Sequence, residues 1–189
     1  MTGEVRPAGR ADAQRNRQRL IEAALDAFSS GQGKVALEAI AKDAGVGIGT
    51  LYRHFPSREA LIEAVYRSEL ARLCHSADPL LASLPPDDAL RTWMDRYADF
   101  VTAKRGMAEA LCAVIASGVI TSTQTRERLS AAIQTMLDAG AAAGSLRSDV
   151  RAEDVSASLA GILLAAGAPE QRAQAGRMLD LLVDGLRPR

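Results

Sequence analysis

The chain holds only two cysteines and two histidines among 189 residues, and these shortages exclude several kinds of chemistry at once. Cys74 and Cys112 stand at no metal-ligand spacing, and each lies in an apolar helical pattern where a buried free thiol is the usual outcome, so no disulfide is expected. Cys74 and His75 are neighbours and would point about 100° apart on a helix, which rules out a shared metal. There is no HExxH spacing, no nucleophile elbow and no carboxylate pair in an apolar setting, so neither an enzyme nor a metal or cofactor is expected. No apolar run approaches the roughly 18 residues that span a membrane. Residues 1–19 carry arginines where a signal peptide needs an apolar stretch, which points to the cytoplasm. The net charge is zero, which excludes a generally basic coat for nucleic acid. The "GQGK" of residues 31–34 lacks a phosphate loop's remaining parts, with Phe28 where a glycine belongs and Val35 where Ser or Thr would hold a metal.

What the chain does have is apolar content, 48% hydrophobic residues against 24% charged, which is too much for disorder. Its charge is unevenly placed. Residues 1–19 carry five arginines against Glu4 and Asp12, a net +3, while residues 61–189 carry 14 basic and 16 acidic groups, a net −2. A polyanion would be met by the N-terminal end.

Apolar residues recur at spacings of three and four almost throughout, and nothing alternates with period two, so the fold is expected to be all-α, with about nine helices. The first spans about 12–30, with Leu20, Ala24 and Phe28 on one stripe. The second, about 36–44, puts Leu37, Ile40, Ala41 and Ala44 inward and stops at Gly45, a natural left-handed position. The third, about 47–55, buries Leu51 and Phe55 and ends before Pro56. The fourth restarts with Ser57 as its cap and reaches the 73–84 region, where Pro79, Pro85 and Pro86 impose a kink and then a break. The fifth, sixth and seventh helices end near Gly106, Gly118 and Gly144, and the last two cover about 152–166 and 170–186.

Two helices joined by a tight glycine turn, the second showing polar groups outward, form the pattern of a helix-turn-helix. The third helix carries "GIGTLYRH", with Thr50, Tyr52, Arg53 and, at the margin, His54 facing away from the core. Gly47 and Gly49 would allow close approach to a major groove, and Thr50, Tyr52 and His54 could donate to phosphate oxygens. Ile48 could touch a thymine methyl, although on the helical wheel it lies nearer the core stripe.

The stretch "LEAIAKDAGVGIGTLYRHFPSREALIEAV", residues 37–65, resembles the DNA-binding domain of TetR-type transcriptional regulators. The shared pattern is Ile40-Ala41, Gly45-Val46, then Thr50, Leu51, Tyr52, His54 and Phe55, with Arg58 before an apolar helix. The resemblance implies a three-helix DNA-binding domain over 12–58 and a ligand-binding and dimerisation domain over 59–189. It implies DNA contacts at Thr50, Tyr52 and His54, and a phosphate contact at Arg58, where the fourth helix begins. Many relatives carry Thr or Ser where Val35 and Ala36 stand here, so an anchoring contact is missing, and Lys34 is the candidate replacement.

Beyond residue 65 the pattern no longer transfers. In the family a cavity lies among the fifth to seventh helices, where Trp93, Tyr97, Phe100, Met107, Leu111, Ile115 and Met136 would suit an apolar, flat ligand; the same stripe also reads as plain core. Leu159, Ile162, Leu163, Ala166, Met178, Leu181 and Leu182, with small residues between them, are the expected homodimer face. The function implied is a ligand-responsive regulator, most simply a repressor on a pseudo-palindromic operator. The alternative from another class is a helical small-molecule binding protein with a vestigial DNA-binding head. The effector's identity, the operator and the sign of regulation are not legible.

Overall fold

A computed structural model describes residues 7–29, 35–116, 118, 120–166 and 168–188. Among them lie ten α-helices and one 3-10 turn. The helices are α1 (Pro7–Ser29), α2 (Leu37–Asp43), α3 (Ile48–His54), α4 (Arg58–His75), α5 (Ala77–Ser83), α6 (Pro86–Gly106), α7 (Ala108–Ala116), α8 (Ser122–Ala143), α9 (Ala152–Ala165) and α10 (Arg172–Leu186). The helix beyond the expected nine is α5, the far side of the expected kink. Pro79 stands in its first turn, where a missing N–H costs nothing. Two starts also differ from expectation: α1 begins at Pro7 rather than near Asp12, and Pro169 opens a 3-10 turn, Pro169–Gln171, ahead of α10.

The chain divides into two compact units, which fall in residues 1–68 with 106–117 and in residues 69–105 with 118–189. The division between these units runs inside α4, and α7 belongs with the first unit.

In the first unit α1, α2 and α3 pack against one another. The core takes Leu20, Ala24 and Phe28 from α1, Ile40 and Ala41 from α2, and Leu51 from α3, with Phe55 just after it. Leu61, Ile62 and Val65 of α4 are buried too. These are the positions the three-and-four spacing selects. Ser57 caps α4 as expected, its hydroxyl accepting from the Ala60 N–H at 3.2 Å.

In the second unit α8 packs on α5 and α9, and α9 on α10. Trp93, Met94, Ile133, Met136, Leu159 and Leu179 are inaccessible to solvent. The Trp93 indole donates to the Leu73 carbonyl at 2.9 Å, so the one polar atom of this ring is satisfied inside the core. Thr121 caps α8 through a bond from the Gln124 N–H, and Gly144 ends it at φ 71°, the left-handed conformation expected of a terminal glycine. Gly140, one turn earlier, is needed for space: a Cβ there would lie 2.4 Å from a methyl of Leu146.

The two thiols separate. Cys74 is half-buried and its Sγ donates to the Arg128 carbonyl at 3.6 Å; burial pushes this thiol up from its ordinary pKa, Arg128 opposing in part. Cys112, expected to be buried, is exposed on α7: Leu111 and Val114 take the inward positions, and residue 112 turns away from both.

Candidate nucleic-acid interface

The connection between α2 and α3 is a complete glycine-terminated helix end. Gly45 sits at φ 64°, its N–H donates to the Lys42 carbonyl and the Val46 N–H to that of Ala41, both at 2.9 Å. This pair of bonds closes α2 and turns the chain sharply into α3. Any side chain at position 45 would be strained by the positive φ, so this glycine is explained by the fold.

Gly47 and Gly49 are not explained that way. Gly47 has φ −72° and ψ 151°, which any residue adopts, and Gly49 is in the first turn of α3. A Cβ at either position would meet nothing within 4 Å. The fold therefore leaves both free to carry a side chain, and helix propensity alone would favour alanine at 49 by up to about 1 kcal/mol. Neither backbone conformation nor packing within the described residues accounts for them.

Around these glycines the structure sets out the expected face. Tyr52 is 47% exposed and Ile48 36%, Arg53 is exposed, and Thr50 and His54 are half-buried. Leu51 and Phe55, the two inward positions, are 0% and 2% exposed. Ile48, which the helical wheel placed nearer the core, is thus open to solvent beside Gly49 and Tyr52. Neither α2 nor α3 has a side-chain cap, because Ala36 and Gly47 occupy those positions. Lys34, the candidate substitute anchor, lies outside the described residues.

Arg58 differs from the rest. Its guanidinium lies over the Phe28 ring at 5.4 Å and donates to the Val35 carbonyl, so both contacts tie the start of α4 to the protein's own α1–α2 connection. Next to it, bonds from its own N–H and from the Ser57 hydroxyl hold the Glu59 carboxyl below its usual pKa, so an ionised side chain already complements this helix start. Of the basic N-terminal run, Arg17 stacks over Phe55 at 5.2 Å and Arg15 pairs with Asp12. Sequence spacing cannot show such stacking, since the residues involved are far apart in the chain.

The expected ligand residues do not gather in one unit. Trp93, Tyr97, Phe100 and Met136 belong to the second unit and are buried, with Trp93 and Tyr97 stacked at 5.9 Å. Met107, Leu111 and Ile115 belong to the first, the last of them 42% exposed. Of the seven, only Phe100 lines a cleft of about 360 Å³ in the second unit, whose other walls are Glu69, Arg72, Leu73, Ser76, Arg96 and Asp99. This cleft is charged, and nothing in the apolar periodicity announced it.

On the last two helices, Leu159, Leu163 and Ala166 are spent on the unit's own core. Leu181 is 71% exposed, and Ile162, Met178 and Leu182 are half-buried. Leu164, which the sequence reading passed over, is 83% exposed. It shares its face with exposed Ala160, Gly161 and Ala165, and a Cβ at Gly161 or Gly185 would meet nothing within 4 Å. Leu163 and Leu164 are adjacent leucines, and composition alone does not say which faces in.

A glycine-closed turn between two short helices, the second presenting a bare and hydrogen-bonding face, defines a DNA-binding helix-turn-helix protein. Comparison with known proteins identifies which kind. Residues 20–65 match the model of the tetR family of bacterial regulatory proteins, and residues 85–188 match that of the C-terminal domain of SbtR-like transcriptional regulators. A TetR transcriptional regulator of Streptomyces coelicolor is 55% identical, with a TM-score of 0.83 over 91% of this chain and 98% of that one. One from Mycobacterium vanbaalenii is 32% identical, with a TM-score of 0.74 over 95% and 99%. An HTH-type transcriptional regulator of Staphylococcus aureus is 30% identical over 50% of this chain and 52% of its own length, so the match spans about half of that curated relative. The chain belongs to the TetR family of transcriptional regulators, which are DNA-binding proteins and not enzymes. Among the described residues, no helix is long and apolar enough to cross a membrane.

Proposed function

We propose that this regulator is a cytoplasmic repressor that binds a pseudo-palindromic operator as a homodimer and is released by a small effector. The observation that carries the DNA-facing part is the pair Gly47 and Gly49: two glycines that neither backbone angle nor packing requires, flanking exposed Ile48 and followed by Tyr52 and Arg53. They suit the close approach of a duplex, with Tyr52, Thr50 and His54 donating to phosphates and Ile48 against a base methyl. Arg53 adds a cation beside them. Arg58 contributes by holding the head's geometry as well as by its charge.

The two-fold pairing is supported by the exposed apolar face of α9 and α10, where Leu164 and Leu181 stand among glycines and alanines that let helices approach closely. Response to an effector requires that it bind one conformation better than the other. The helix α4 is the lever in this reading: its start is held in the first unit by Arg58, and Glu69, Arg72 and Leu73 of its last turns line the charged cleft of the second.

The test is fluorescence anisotropy with labelled duplex from the neighbouring promoter, titrated at several salt concentrations. The reading expects affinity that falls steeply with salt and drops by about tenfold or more in Tyr52→Ala at unchanged helicity. A protein that ignores every duplex at low ionic strength contradicts it.

A further inference from the structure

The cleft between the last turns of α4 and the middle of α6 contains a charge arrangement that the packing does not explain. Glu69, Arg72, Leu73 and Ser76 form one stripe of α4, and Arg96, Asp99 and Phe100 face them from α6. Glu69 is 7% exposed, a carboxylate held at the inner wall, and Arg72 pairs with it across one helical turn. Asp99 has Arg172 of α10 at 3.7 Å. Arg96 has no carboxylate at ion-pair distance among the described residues. Glu69 is therefore matched, Asp99 has only the longer limb of Arg172, whose nearer partner is Asp95 at 2.9 Å, and the exposed Arg96 guanidinium is left over.

The rest of the lining supplies an apolar body for a ligand. Leu73 and Phe100 are buried side chains bordering the space. The Ser76 hydroxyl donates to the Leu73 carbonyl at 2.8 Å, which leaves its oxygen free to accept. A volume of about 360 Å³ lies at the lower end of the range of sites that take small molecules. Since the buried Glu69 already has a guanidinium partner, a cationic ligand would have to displace Arg72 to reach it, whereas an anion meets Arg96 unpaired. A doubly charged anion would face the buried Glu69 as well.

We infer that this cleft binds a small monocarboxylic acid with an apolar body, the carboxylate on Arg96 and the body against Leu73 and Phe100. The inference deepens the effector-responsive reading and rests on it for its regulatory meaning, though binding itself can be measured apart from regulation. Trp93 is the chain's single tryptophan, and its indole is bonded to the carbonyl of cleft-lining Leu73, so its fluorescence reports on the site.

The experiment titrates phenylacetate, its neutral analogue phenylacetamide and the cation phenethylamine into the full chain at constant ionic strength, by calorimetry and Trp93 fluorescence. The expected result is one phenylacetate per chain, bound about tenfold or more tighter than the amide, with the amine weakest. Arg96→Gln removes the preference for acid over amide and leaves amide affinity and thermal midpoint unchanged, and Arg96→Lys restores part of it. Equal binding of acid and amide, preference for the amine, an Arg96→Gln protein that keeps the preference, or no phenylacetate bound at millimolar concentration overturns the inference. DNA binding measured alongside separates the two readings. If phenylacetate binds through Arg96 while operator affinity is unmoved, the site stands and effector response through it falls. If the neutral amide releases DNA and the acid does not bind, effector response stands and the assignment of this cleft falls.

Discussion

Glycine has two unlike uses within five residues of the helix-turn-helix. Gly45 is held at φ 64°, so Gly45→Ala should lose about 1–2 kcal/mol of unfolding free energy in a urea titration. Gly49 has open space around it and a helical backbone, so Gly49→Ala should keep or raise stability, by up to about 1 kcal/mol, while operator affinity falls by roughly tenfold. A stable Gly49→Ala protein with undiminished affinity would show that the bare backbone is not there for the duplex. The polar face at Thr50, Tyr52 and Arg53 was legible because Leu51 and Phe55, four residues apart, share the inward side of the chain, and the residues flanking them turn away from it. Arg58 was not legible in the same way: its partners, Phe28 and the Val35 carbonyl, are distant in the chain, and only the fold brings them under its guanidinium. The thiols give a further residue-level check. Cys112 is exposed and Cys74 is half-buried with its pKa raised by burial, so at neutral pH a thiol reagent should modify Cys112 first, and Cys74 should need more alkaline solution or unfolding. Peptide mapping that finds Cys74 labelled first would contradict this packing.

Between elements, the notable feature is a ladder of charge joining α6 to α10. Arg91 reaches Asp180 at 2.6 Å and the Gly176 carbonyl, Arg172 reaches Asp95 at 2.9 Å, and Arg187 reaches Asp87 at 3.1 Å. Most such pairs contribute little when solvated, but the Arg91 side chain is only 23% exposed and makes several bonds. Arg91→Ala is expected to cost about 1–2 kcal/mol, and Arg151→Ala, whose pair with Asp154 is local and exposed, clearly less. Denaturant midpoints for the two variants decide it, and equal losses would refute the ranking. Helix ends at Gly45 and Gly144 and the cap at Ser57 could be read from the sequence, since each is a local signal with its own backbone chemistry. The ladder could not, because arginines and aspartates on an amphipathic helix look like a solvated face until a neighbour is placed. The aromatic stripe shows the converse: Trp93, Tyr97 and Met136 have the spacing of either a core or a ligand box, and all three are buried, which both readings share.

For the molecule as a whole, a two-fold operator needs two copies acting together. Among the described residues Leu164 and Leu181 are the most exposed of the large apolar side chains, at 83% and 71%, and they stand on the last two helices. Replacing both with glutamate should yield monomers by light scattering, because charges in an apolar contact are costly, with helicity retained since neither residue is in the core. Dimers that survive the double change would place the interface elsewhere. The most direct measurement of the central claim, that the bare face of α3 lies against DNA in symmetric pairs, is selection of bound fragments from a pool of random duplexes. The account expects enrichment of two inverted half-sites whose centres are about 34–36 Å apart or a multiple of that, lost in Tyr52→Ala. A pool that stays random after selection, or enrichment of a single unrepeated site, would contradict it.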